Sequence, residues 1–227
     1  MKIMSHHRWD VTVQEALAIQ ENMVGRLILP EDPMPLNPKT VAGADISYAR
    51  HSNLFFAAVI VFTYPDFSVL EEASWKERVC FPYVPGLLSF REAPPLLKAF
   101  EQLSCIPDLA IFDGQGIAHP RRIGLASHMG LFLGMPTVGC AKTRLVGEFA
   151  PPGAERGEMS DLFHKGKPVG KVLRTQKNVK PLFVSPGHRI GPLQAAEMVL
   201  SCCRGYRIPE PIRRAHHRVN ELRVQNA

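Results

Sequence analysis

The sequence predicts an α/β fold with a mixed central β-sheet flanked by helices. Two observations carry that expectation. Three strand-like segments, 40–48, 54–62 and 67–79, are separated by linkers short enough for antiparallel hairpins. After residue 86 helical and strand-like patterns alternate, which is the signature of parallel strands joined by helices.

The elements follow in order. Thr12 and Glu15 have capping-box spacing, and Val13, Leu17, Val24 and Leu27 supply the apolar positions of a first amphipathic helix. Pro30, Pro33, Pro35 and Pro38 make an extended connector. A helical pattern starts near Gly86, and Pro94-Pro95 is expected to open a new helix before 96–103. A strand at 108–112 ends on Asp113, a helix follows over 121–133, and a strand spans 137–141. Segment 151–167 reads as a surface excursion, 169–174 and 182–185 as strands, and 191–203 and 210–224 as closing helices. The 227 residues suit a single domain with a sizeable core.

Composition narrows the classes. The longest apolar run, 54–62, is strand-sized, far below the ~20 residues a membrane span requires. Residues 1–10 lack the apolar core of a secretory signal. Five cysteines without CxxC spacing suggest reduced thiols in a cytoplasmic protein, with neither a disulfide framework nor a zinc site. No membrane partner is expected, and no protein partner is deducible. A net charge of +6 and a pI near 9.2 fit a nucleic-acid partner, though many unrelated enzymes share that balance.

The acidic residues are therefore the more informative. Asp45 sits in Val41-Ala42-Gly43-Ala44-Asp45-Ile46-Ser47, where strand alternation puts Val41, Gly43 and Asp45 on one face. A carboxylate there is costly unless hydrogen-bonded, paired or bound to metal. Asp113 ends an apolar strand and opens into Gly114-Gln115-Gly116, whose glycines permit close backbone approach to a ligand. Glu92 is a third acid, on a helix after an unusual loop. Singly, each reads as a turn former or a surface ion. Together they suit Mg²⁺ or Mn²⁺ and metal-assisted phosphodiester hydrolysis.

Several basic groups can face phosphate. Lys142 follows the strand 137–141, and His119 precedes Pro120-Arg121-Arg122 at an expected helix N-terminus. Ser185-Pro186-Gly187-His188 is read as a strand-to-helix connection able to cradle a second phosphate. The run Arg213-Arg214-Ala215-His216-His217-Arg218 is first a solvated helix face and second a phosphate contact, with His216 an extra ligand or acid-base group. Pro82-Tyr83-Val84-Pro85-Gly86 has two readings: a rigid turn with Tyr83 packed on the surface, or a wedge entering a base stack.

From about Gln14 to His216 the chain resembles the endonuclease V (deoxyinosine 3′-endonuclease) family. The resemblance rests on Ala42-Gly43-Ala44-Asp45-Ile46-Ser47, on Pro82-Tyr83-Val84-Pro85-Gly86-Leu87-Leu88-Ser89-Phe90-Arg91-Glu92 and on Asp113-Gly114-Gln115-Gly116-Ile117-Ala118-His119-Pro120-Arg121-Arg122. It continues in Gly139-Cys140-Ala141-Lys142-Thr143-Arg144-Leu145, Ser185-Pro186-Gly187-His188-Arg189 and Gly205-Tyr206-Arg207-Ile208-Pro209-Glu210-Pro211. It implies a ribonuclease-H-like fold and Mg²⁺-dependent cleavage of DNA at the second phosphodiester bond 3′ to deoxyinosine, leaving 3′-hydroxyl and 5′-phosphate ends. Asp45 and Asp113 would hold metal and Glu92 would complete the acidic centre. Tyr83 would be the wedge, and Lys142 and His119 would lie at the reacting phosphate. Backbone around Gly86, Leu88 and Gly114 would enclose the flipped base; Pro82, Val84, Pro85, Arg121, Gly187 and His188 complete the expected binding set. Two positions depart from the commoner pattern. Gln115 stands where many members have histidine and cannot titrate, and His216 occupies a position where aspartate can occur. Inosine in RNA, a non-catalytic module for damaged nucleic acid and a base-excising glycosylase are the competing functions.

Overall fold

The computed structural model describes residues 1–30, 36–49 and 52–226. Its eight strands are β1 (Thr40–Tyr48), β2 (Leu54–Thr63), β3 (Val69–Arg78), β4 (Leu109–Phe112), β5 (Thr137–Ala141), β6 (Met159–His164), β7 (Lys167–Leu173) and β8 (Leu182–His188). Five helices accompany them: α1 (Val13–Met23), α2 (Ser89–Glu101), α3 (Leu125–Leu133), α4 (Pro192–Ser201) and α5 (Glu210–Gln225). All strands form one sheet in the order β3-β2-β1-β4-β5-β8-β7-β6. The pairs β1–β4 and β4–β5 are parallel and the others antiparallel. The first five positions have the ribonuclease-H-like arrangement.

Helices cover both faces. Ala42, Ala44, Val59, Val61 and Phe112 pack with Leu96, Phe100, Met129 and Phe132 of α2 and α3. Val41, Ile60, Phe62, Ile111 and Val138 pack with Ala195, Val199 and Ile212 of α4 and α5. Because both faces of β2 are covered, it reads as a continuous apolar run instead of an alternating one. The edge strand β3 is mostly exposed and carries Glu71, Glu72, Lys76, Glu77 and Arg78, charges that oppose pairing with another chain.

Four sequence expectations change. Pro94 and Pro95 lie inside α2, not at the start of a new helix. Burial of Phe90, Ala93, Leu96, Leu97 and Phe100 along one face outweighs the missing amide donors. The segment 151–167 contains β6, which pairs with β7 as a hairpin. Helix α3 starts at Leu125, four residues later than its pattern suggests, because Arg122 adopts a left-handed backbone (φ 59°) that a helix cannot continue. Strand β8 runs on through His188, so residues 185–188 are strand and not a strand-to-helix turn. Pro33 and Pro35 of the connector, and Arg50 and His51 of the first hairpin linker, fall outside the described residues.

The α1 capping box forms as spaced: the Thr12 side chain accepts from the Glu15 amide, and Glu15 accepts from the Thr12 amide at 2.7 Å. Among the described residues no helix is long and apolar enough to cross a membrane. The five cysteines are free thiols.

Candidate active site

Parallel pairing gathers the acids. Ala44 pairs with Phe112 and Phe112 with Gly139, so Asp45, just past the end of the parallel β1–β4 ladder, comes beside Asp113 and Lys142 at the carboxyl ends of β4 and β5. In open α/β sheets this is where ligands bind.

Helix α5 closes over Asp45 because residue 43 is glycine. A Cβ at Gly43 would overlap the carbonyl of Pro211, so the start of α5 rests on β1 itself. Five helix residues from Pro211 advance about 7.5 Å and two strand residues from Gly43 about 6.6 Å, which places His216 beside Asp45. His216 Nδ1 lies 2.7 Å from Asp45 Oδ2. Asn220 donates to His216 Nε2 at 3.1 Å, so Nδ1 carries the proton and donates to the carboxylate. Burial, then the charge of Asp113, raises the Asp45 pKa; the His216 hydrogen bond opposes them.

Asp113 forms a close ion pair with Lys142. The Glu92 carboxylate, from α2, makes no hydrogen bond or ion pair with any described residue. Burial and the charges of Asp45 and Asp113 push its carboxyl up to about 8. Among the described residues no three His, Cys, Asp or Glu side chains converge as a ready metal cage. The donor chemistry nevertheless fits a hard divalent cation: three mutually repelling carboxylates, one of them without a partner.

Beside the acids lies a cleft of about 360 Å³ whose walls include Tyr83, Gly86, Leu88, Glu92, Gly114 and Gln115. This is within the size range of small-ligand pockets. Tyr83 is 69% exposed at the tip of its loop, flanked by exposed Pro82 and Pro85 and half-buried Val84, so it is not packed down. Gly86 has φ 79°, and its carbonyl accepts three hydrogen bonds, from Gln20, His119 and Arg121, at 2.9–3.1 Å. That loop is rigidly held.

This clamp changes the reading of His119. Its Nε2–H donates to Gly86, and its Nδ1 accepts from the Arg121 amide at 3.2 Å. Burial, with the Arg121 charge beside it, lowers its pKa to about 4. Both ring nitrogens are engaged and the ring is neutral, so His119 holds the loop in place. Nor does it sit at a helix N-terminus, since α3 begins only at Leu125.

Gly187 and His188 are also corrected. They are buried in β8, and His188 Nδ1 accepts from the Ile28 amide at 3.2 Å. Burial and the neighbouring Arg189 lower the His188 pKa to about 4. The segment acts instead as a brace: Ser185 Oγ accepts from the Gly116 amide and the Pro186 carbonyl from the Ile117 amide, both at 2.8 Å. Arg121 turns away from the cleft, its Nε bound to Gln20 Oε1 at 2.6 Å. In α5, Arg213 pairs with Glu210, and Arg218 with Glu72 and Glu221, so these cations are spent within the chain.

Gln20, Tyr48 and Leu145 contribute without a signal in the sequence. Gln20, fully buried on α1, bridges Gly86 and Ile123; an isolated polar residue in an amphipathic helix gives no warning of that. Tyr48 stacks on Phe55 and lines the cleft, as does Leu145. Gln115 is buried, donates to the Thr143 carbonyl at 3.0 Å, and its Oε1 has no partner among the described residues.

An α/β sheet with carboxylates and a lysine at its parallel strand ends, beside a cleft with a projecting aromatic, has the site layout of a nuclease. The Endonuclease V family model matches residues 21–217. A curated Endonuclease V of Dehalococcoides mccartyi is 49% identical over 98% of this chain and 99% of its own. The crystal structure of Endonuclease V from Streptomyces avermitilis superposes with a TM-score of 0.91 at 41% identity, covering 100% of both chains. Ciona intestinalis Endonuclease V, solved with a 24mer DNA containing an inosine followed by a ribo-adenosine, matches with a TM-score of 0.82 at 26% identity over 95% of this chain and 99% of that one. The chain belongs to the endonuclease V family, and is a nuclease by that membership.

Proposed function

We propose that the protein is a divalent-metal-dependent repair endonuclease. It recognises deoxyinosine in DNA and hydrolyses the second phosphodiester bond 3′ to it. The observation that supports this best is the adjacency of the Asp45–Glu92–Asp113 centre to a cleft edged by an exposed, clamped Tyr83. Tyr83 fills the space left by the displaced nucleotide, and the base enters the cleft between Gly86, Leu88 and Gly114. Asp45, Asp113 and Glu92 would hold Mg²⁺, with Mn²⁺ able to substitute. When bound, that ion supplies a Lewis acid for the attacking water and the departing oxygen. Lys142 contributes positive charge at the phosphate, while His216 orients Asp45. Water adds to phosphorus, the P–O3′ bond breaks and a proton passes to the 3′ oxygen, leaving 3′-hydroxyl and 5′-phosphate ends. The chain is expected to act in the cytoplasm.

The test is end-labelled inosine-containing DNA and RNA incubated with the protein in Mg²⁺ or in EDTA. Metal-dependent cutting one nucleotide beyond the lesion supports the proposal. Metal-independent release of free hypoxanthine would indicate a glycosylase, tight binding without cutting a binding module, and preference for RNA an endoribonuclease.

A further inference from the structure

A second cavity, of about 550 Å³, lies behind the turn that carries His119. The turn divides the two spaces: His119 and Ile123 line the base cleft, while Pro120, Arg121 and Arg122 line this one. Its far wall is the β6–β7 hairpin tip, with His164, Lys165 and Lys167, and Glu21 of α1 is its one acidic lining residue.

Three features set this cavity apart from an ordinary solvated patch. Arg122, Lys165 and Lys167 make no ion pair with any described residue, whereas Arg213 and Arg218 of α5 are paired. Arg122 (φ 59°) and Lys165 (φ 52°) both hold left-handed backbone conformations, unfavourable for a side chain with a Cβ. Lys165-Gly166 forms a two-residue hairpin turn with positive φ at both positions, where asparagine, aspartate or glycine would be less strained. Strain of this kind gathers at functional positions. On the same wall, His164 Nε2 is shielded from solvent and has no hydrogen-bond partner among the described residues.

From these features we infer that the cavity is a phosphate subsite for the nucleic-acid strand as it leaves the base cleft and crosses the 119–123 turn. Unpaired lysines and an arginine around a concave surface suit a backbone phosphate, which each contacts by charge without reading sequence. The inference rests on the nucleic-acid reading above and extends it to a contact remote from the reacting bond.

Binding of lesion-free single-stranded oligonucleotide tests it, measured by fluorescence anisotropy over a salt series. Wild type is compared with an Arg122→Gln/Lys165→Gln/Lys167→Gln variant of matched melting temperature. The slope of log K against log salt is expected to fall by about 0.7 in the variant, the loss of one phosphate contact on a single strand. Shortening the strand one nucleotide at a time should abolish the difference once the strand no longer reaches the cavity. An unchanged slope overturns the subsite. So does a deficit that persists down to a mononucleotide, which would mark a small-anion site. Strand binding by wild type without cleavage of inosine DNA would strike only the nuclease proposal; no strand binding at all would overturn both.

Discussion

Glu92 is the most perturbed of the three acids at the site. Its carboxyl is pushed up to about 8 by burial and two neighbouring aspartates, whereas in an unfolded chain it ionises near 4.3. Between those values the folded protein keeps a proton that the unfolded chain has released, so this residue's contribution to stability falls as pH rises. In EDTA, Glu92→Gln is therefore expected to raise the melting temperature at pH 8 and to lose most of that gain by pH 4, at about 2–4 °C per kcal/mol. A gain independent of pH would refute this account. Cleavage should be lost in the same variant, a trade of activity for stability. Asp45→Ala should abolish cleavage while leaving lesion binding partly intact, as read by gel shift against end-labelled cutting. Full activity would remove Asp45 from the mechanism.

At the scale of elements, the site depends on how closely α5 approaches β1. Gly43→Ala drives a Cβ into the Pro211 backbone and should cost on the order of 1–3 kcal/mol while moving His216 off Asp45. Gly25→Ala is the matched control: nothing lies within 4 Å of its Cβ, and stability should stay within about 0.5 kcal/mol. Similar melting temperatures for the two variants would dismiss the close-approach argument. The wedge loop depends on α1 as well as on its own prolines, since Gln20 holds the Gly86 carbonyl. Tyr83→Ala leaves that anchor intact and should weaken discrimination of inosine DNA from plain DNA more than salt-sensitive binding to either. Equal losses on both substrates would mean that Tyr83 is not the wedge.

For the molecule as a whole, the buried histidines dominate its response to acid. His119 and His188 have pKa values near 4 because burial disfavours the charged ring, and His128 is displaced in the same direction. Unfolded, each would titrate near 6.5. Between about pH 6.5 and 4 the unfolded chain binds more protons, so stability is expected to fall as pH falls through that window. Melting temperatures across it check the sign, and a flat profile would contradict it. These residues tie distant parts of the chain together. His128 is within 2.7 Å of His7 and 2.9 Å of Ser89, linking the N-terminal segment to the start of α2, and His119 locks the wedge loop. Acid is thus expected to loosen the elements around the cleft together.

The sequence by itself determined the local elements and the residue types at the strand ends. Alternation, capping spacing and glycine positions are written in neighbouring residues, and the motif run 113–122 announced the family before any geometry. It also placed Asp45, Glu92 and Asp113 as acids that need a common partner. Tertiary structure decided which side chains face the cleft and which hold it up. His119 and Arg121 share one motif with Asp113, yet they clamp Gly86 while Asp113 pairs with Lys142 across a strand end. Gly187 and His188 resemble a phosphate loop in sequence and are buried strand in the fold. The reason is physical: backbone periodicity extends over a few residues, but burial and charge at a side chain are set by elements far away in the chain. The register of β1, β4 and β5, and the docking of α5 on Gly43, supply them.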